Sequence, residues 1–210
     1  MYDPTKRNAT YQDVLDAPDH LTAELLDGDL YLSPRPGGPH ASVASTLGYL
    51  LGPPFQLGAG GPGGWIILAE PAPHLRPETR RVAPHLAGWR RVRMPEVTGT
   101  AYFTIVPDWI CEVLSPSNAI HDRSKKLPLY AASGVAHLWL VDPLQRSVEV
   151  MRLHEGKWLL LDVHQGDGRV RAEPFDMIEL DLALLWAVLP KPQPTRASEI
   201  AAEYRALAAK

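Results

Sequence analysis

Glu112 stands in the run Pro107-Asp108-Trp109-Ile110-Cys111-Glu112-Val113-Leu114-Ser115-Pro116-Ser117, a carboxylate inside an otherwise apolar strand that stops at a Ser-Pro turn. Burying a carboxylate alone is expensive, so this one must be paired, hydrogen-bonded or metal-bound. Asp122, Lys126 and Tyr130 follow at four-residue spacing, and after Gly134-Val135 comes a second apolar strand, His137-Leu138-Trp139-Leu140-Val141-Asp142-Pro143. Lys126 and Tyr130 share one helical face, so both can point at the Glu112 strand. An acid on a strand, with a lysine on a helix that packs back beside it, is half of a metal-dependent phosphodiesterase site. Magnesium wants hard oxygen ligands, and the transition state gains charge that a metal and an ammonium can offset.

The elements that position these residues follow from pattern and punctuation. Thr10 with Asp13 reads as a capping-box-like start to a short helix through Asp16, and Glu24 to Leu32 reads as a hairpin turning at Asp27-Gly28. Val43, Leu47, Leu50 and Leu51 fall at helical spacing, giving a helix that opens near His40 and stops at Gly52-Pro53-Pro54. Strands are expected over Trp65 to Ala69, Arg81 to Ala87 and Thr104 to Leu114. Ser124 caps a helix running to Ser133, and Pro128 is tolerated only if that helix starts so late. His137 to Val141, Ser147 to Leu153, Trp158 to Val163 and Val170 to Pro174 make the second half β-rich. The Pro-rich linker 190–194 sets off a terminal helix, Ala197 to Ala209, so residues 1–189 are expected to form the main domain and 190–210 an appendage.

Composition excludes several classes. The 210 residues are 45% hydrophobic, enough for one substantial core. There is no apolar run of membrane-spanning length and no apolar stretch like that of a secretion signal, which points to a cytoplasmic protein. One cysteine, Cys111, rules out an internal disulfide framework or a multi-cysteine zinc site. A net charge of -3 argues against non-specific coating of nucleic acid but leaves room for a local basic patch, and Arg76, Arg80, Arg81, Arg90, Arg91 and Arg93 supply the best one. The Gly-rich segment 58–64 lacks a P-loop lysine and reads as a connection.

The signature from Glu112 to Ser117, followed by Asp122, Lys126, Tyr130, Gly134-Val135 and Leu138 to Pro143, resembles a large bacterial restriction-endonuclease family within the PD-(D/E)XK nuclease superfamily. Glu24 to Leu30 is similar to the family's opening strand, Pro39-His40 to the start of its next helix, and Val82 to Arg90 to the strand that normally carries Pro-Asp. The likeness covers roughly residues 10 to 185. It implies a restriction-endonuclease-like α/β core, a central mixed β-sheet flanked by helices. It also implies hydrolysis of DNA phosphodiester bonds, a magnesium or manganese cofactor and a homodimer.

In that superfamily two carboxylates on adjacent strands hold the metal while a lysine helps position the attacking water. Glu112 matches the second acid. The position of the simplest lysine pattern is Leu114, and Lys126 on the following helix matches the family's lysine, with Glu24 beside it as a further catalytic candidate. The first acid's place is held by His85, whose imidazole suits zinc, manganese or iron better than magnesium. The resemblance therefore leaves three outcomes: another divalent metal, a site completed by Glu70, Glu24 or His74, or a fold that has lost hydrolysis and only binds nucleic acid or assembles. Glu112, His85 and Glu70 are the metal candidates, and His40, Tyr130 and Arg90 the substrate-side ones. Asp108 forms a literal Pro-Asp, yet it sits roughly 13 Å along the strand from Glu112, too far to share an ion. Capping the strand or pairing with an arginine suits it better.

Overall fold

The structure, a computed structural model, describes residues 3–191 apart from 36, 77, 78, 95, 98, 100 and 101. The terminal helix expected at Ala197 to Ala209 and most of its linker lie outside the described residues. The chain opens with α1 (Tyr11–Leu15), where the Asp13 carboxylate accepts the Thr10 backbone N–H at 2.8 Å. The hairpin of β1 (Leu21–Leu26) and β2 (Asp29–Pro34) turns at Asp27-Gly28, as expected. Both turn residues have positive φ, 51° and 85°, which is the two-residue turn that matches strand twist.

α2 (Gly38–Leu51) buries His40, Val43, Leu47 and Leu51. It does not stop at Gly52: a π-helical turn carries the chain on through Leu57, ending at Gly58 with φ 71°. Pro53 and Pro54 stand in the first turn of this wider helix, where a missing N–H breaks no helical bond.

Then come β3 (Trp65–Ala69), β4 (His74–Arg76), β5 (Arg80–Arg81) and β6 (Leu86–Arg90). The single strand expected from Arg81 to Ala87 is thus two pieces in two sheets. Arg81 pairs with Leu25 of β1, and after Pro84, which has no N–H for a ladder, the chain enters the main sheet at Leu86. β7 (Trp109–Val113) is likewise shorter than expected and begins just after Pro107.

A continuous helical segment follows, built of α3 (Ala119–His121), a π-helical turn over Asp122–Lys126 and α4 (Leu127–Ser133). It starts five residues before the expected Ser124. Pro128 sits where the wide turn gives way to α4, so the change of helical register absorbs its ring and missing N–H. β8 (His137–Asp142), β9 (Ser147–His154) and β10 (Lys157–Gln165) come next, then the short β11 (Arg169–Val170), β12 (Leu180–Asp181) and α5 (Leu182–Trp186). The expected strand from Val170 to Pro174 shrinks to the β11 pair.

The main sheet has the order β10-β9-β8-β7-β6-β3, and a smaller sheet has the order β2-β1-β5-β4. β7 and β8 are parallel while the other neighbours are antiparallel, so the central sheet is mixed, as expected. Parallel neighbours need a crossover, and the helical segment of 119–133 supplies it, lying against one sheet face. Strand alternation assigns Trp109, Cys111 and Val113 to the core under α2 and α5, and Ile110 to the core under α4. Glu112 shares the face of Ile110. The pleat alone therefore directs its carboxylate toward Lys126 and Tyr130.

Candidate active site

Glu112 is fully buried, and each of its oxygens has its own company. Oε1 lies 2.7 Å from Lys126 Nζ and accepts the Tyr130 hydroxyl at 2.5 Å. Oε2 lies 2.6 Å from Nδ1 of His85. The register explains that contact: Leu86 pairs with Cys111 across β6 and β7, so residue 85 comes opposite residue 112. Lys126 Nζ also reaches Glu24 Oε1 at 2.9 Å and Asp122 Oδ1 at 3.7 Å. Glu24 belongs to β1 of the smaller sheet, and its Oε1 accepts the Ala83 N–H at 2.8 Å. One ammonium thus ties the two sheets and the crossover together.

The electrostatics follow from that cage. Burial would raise the Glu112 carboxyl, but the Lys126 ammonium and then His85 outweigh it and hold the group down at about 2. Burial would likewise strip Lys126 of its proton, and Glu112 and Glu24 overcome this, pushing its affinity for the proton well above the ordinary lysine value. Asp122 goes the other way. Its burial, with Glu112 and Glu24 nearby, raises it well above the carboxylate range against the pull of Lys126. His40 is lowered to about 4, first by burial and then by His85, whose ring centroid is 4.1 Å from its own.

These groups line a cleft of about 330 Å³ between the smaller sheet, the start of α2 and the start of the helical segment. Glu24, His40, Glu70, His85, Asp122 and Lys126 all face it, with Glu112 just behind. The structure thus brings together the sequence-derived Glu112, Lys126, Glu24, His85 and His40. Tyr130 is fully buried against Glu112 and does not line the cleft, so it is not placed to meet a substrate. Arg90 is also absent from the lining: it ends β6 away from His85 and stacks its guanidinium over Trp65 at 4.5 Å. Glu70 lines the cleft but its carboxylate pairs with Arg35 at 3.6 Å in an exposed contact, not with Glu112. His74 stacks on Tyr102. Asp108 accepts Arg93 Nη1 at 2.7 Å and the Arg90 N–H at 2.8 Å, the arginine-pairing role expected for it.

The Uma2 family, whose description is "putative restriction endonuclease", matches residues 9–183. The chain belongs to this family. The crystal structure of a "putative nuclease belonging to DUF820" from Anabaena variabilis superposes with a TM-score of 0.64 at 21% identity, covering 85% of this chain and 97% of that one. This chain has the same fold. No curated protein matches it.

Among the Uma2 residues of this chain, the carboxylates of the cleft are already engaged with side-chain partners. Glu112 Oε1 is taken by Lys126 and Tyr130, Oε2 faces a ring nitrogen, and Glu24 and Asp122 are turned to Lys126. Among the described residues no three His, Cys, Asp or Glu side chains are grouped to hold a metal ion. Magnesium, which is commonly held by one or two carboxylates with water and substrate phosphate, would have to compete with Lys126 and His85 for Glu112 here. Sequence reasoning gave Asp122 no site role, although its four-residue spacing from Lys126 was visible. It named Arg81 only within a basic patch and gave Arg35 no role, because no local pattern reports that β1, β2 and β5 close over the site.

Proposed function

We propose that this protein cleaves nucleic-acid phosphodiester bonds, with DNA as the substrate that its family's description implies, at the end of the cleft where Lys126 meets Glu112. The observation that carries this reading is the buried Glu112–Lys126 pair at 2.7 Å beside an open cleft, on a strand and a helix of the nuclease-like fold. Lys126, held protonated by Glu112 and Glu24, offsets the charge that gathers on the phosphate oxygens as the bond breaks. Tyr130 is a positioning residue: its hydroxyl fixes the carboxylate that fixes the lysine. A divalent ion such as magnesium or manganese would polarise the phosphate in a two-acid form of the site. With His85 supplying nitrogen in place of one oxygen donor, magnesium-dependent cleavage of DNA is impaired in this reading.

A second reading, a silent nucleic-acid-binding protein that keeps the fold, draws its support from the His85 contact to Glu112 Oε2. DNA binding and cleavage under magnesium, compared between wild type and His85→Asp, separate the two. The first reading expects weak cleavage that rises in His85→Asp, because residue 85 lies across the register from Glu112. Binding with no cleavage by either form supports the second. A wild type that binds no nucleic acid contradicts both.

A further inference from the structure

His85 is a base at the cleft wall as well as a substitute for an acid. Its side chain is 12% exposed and lines the cleft, while Nδ1 lies 2.6 Å from Glu112 Oε2 and 3.1 Å from the Val113 amide nitrogen. One nitrogen cannot donate to the carboxylate and accept the amide proton at once. An anionic oxygen at 2.6 Å from a lone pair would be strongly repelled, so the proton belongs on Nδ1. The lone pair is then on Nε2, on a ring that lines the cleft. A buried carboxylate holding one ring nitrogen so that the other can take a proton is a general-base arrangement. The same carboxylate holds Lys126 through Oε1 at 2.7 Å, so base and ammonium are fixed relative to each other by one rigid group. His40, buried edge-on against His85 with ring centroids 4.1 Å apart, keeps the imidazole from turning away.

The substrate follows from what such a pair can activate. An imidazole is a weak base for water, and among the described residues no three His, Cys, Asp or Glu side chains are grouped to hold a metal ion that would make water a better nucleophile. The base gains most from a nucleophile already held against phosphorus, where effective molarities reach about 10⁵ to 10⁸ M. The 2′-hydroxyl of RNA is such a nucleophile, and DNA has none.

We infer that this cleft cleaves RNA without a metal ion. His85 Nε2 takes the 2′-hydroxyl proton, O2′ bonds to phosphorus, the P–O5′ bond breaks, and the leaving O5′ takes a proton from solvent. The products are a 2′,3′-cyclic phosphate and a 5′-hydroxyl, with Lys126 offsetting the charge on the non-bridging oxygens. The inference rests on the phosphodiester reading of the same cleft and goes beyond it in substrate and in chemistry.

The test uses the full chain, an end-labelled single-stranded RNA, its DNA counterpart and an RNA carrying one 2′-deoxy position, all in excess chelator. The expected result is RNA cleavage that stops at the deoxy position, leaves cyclic phosphate ends and spares DNA. His85→Gly is expected to lose on the order of 100-fold or more, the scale of a general base, and to regain activity with added imidazole. That rescue excludes a contaminating ribonuclease, and His85→Asn, which can keep an N–H donor at the Nδ1 position facing Glu112, guards against a folding defect. Intact RNA in chelator, 5′-phosphate products, or cleavage unchanged in His85→Gly would overturn the inference. Metal-dependent DNA cleavage alongside intact RNA overturns it while sparing the phosphodiester reading. A chain that binds neither nucleic acid overturns both.

Discussion

Replacing Lys126 by methionine removes the ammonium while keeping most of the side-chain stem, and the structure sets the size of the effect. At an effective dielectric of about 20, contacts of 2.7 Å to Glu112 and 2.9 Å to Glu24 each correspond to about 6 kcal/mol of gross attraction. Much of this is spent on desolvating the three charges, and removing one partner of a buried pair typically costs about 3–5 kcal/mol. Taking about 4 kcal/mol with a urea dependence of about 2 kcal/mol per molar, the unfolding midpoint falls by about 2 M. The loss should also depend on pH. Lys126 is the main group holding the Glu112 carboxyl down at about 2, so in Lys126→Met that carboxyl rises and takes up a proton in weak acid. Urea unfolding followed by tryptophan fluorescence at pH 8 and pH 5 is the assay, with the larger loss at pH 8. A loss under about 1 kcal/mol, equal at both pH values, would refute the buried three-carboxylate cage.

His40, lowered to about 4 by burial, is neutral in the folded protein at neutral pH. A folded value below the ordinary 6.5 means that stability is complete above pH 6.5 and is lost as pH falls toward 4, by about 3 kcal/mol. His40→Gln should flatten that window in pH-dependent urea unfolding, and an unchanged slope between pH 6.5 and 4 would contradict the assignment. Gly88 lies between two buried indoles, where a Cβ would come 3.2 Å from Trp109 and 3.3 Å from Trp65. Gly88→Ala should therefore cost about 1–3 kcal/mol and several degrees of Tm, and calorimetry showing no shift would mean that the rings yield freely.

The central sheet was legible because its strands announce themselves as short apolar runs, and the Asp27-Gly28 turn because few residue pairs accept positive φ twice in succession. Glu112 and Lys126 were legible for a different reason: an ionisable side chain in an apolar strand demands a partner, and the next helix offers a lysine. Helix boundaries were not, because π-helical turns at Gly52–Leu57 and Asp122–Lys126 carry the backbone past prolines that would end an ordinary α-helix. Arg90 and Tyr130 do not line the cleft as substrate-side residues, for geometric reasons. Arg90 is five residues along the strand from His85, and Tyr130, one turn beyond Lys126, points at the carboxylate from beneath the cleft. Glu70 could not be judged from sequence, because its pairing with Arg35 depends on two loops meeting across the cleft mouth.

Cleavage of labelled DNA and RNA by wild type and Glu112→Gln, with and without divalent metal, tests the central claim most directly. Glutamine keeps the shape of the side chain but leaves Lys126 without its nearest counter-charge and His85 without its anchor. The account predicts wild-type cleavage that falls on the order of 100-fold or more in Glu112→Gln, at a temperature where circular dichroism finds both forms folded. Cleavage that survives the substitution undiminished would place the chemistry elsewhere in the chain and contradict the account.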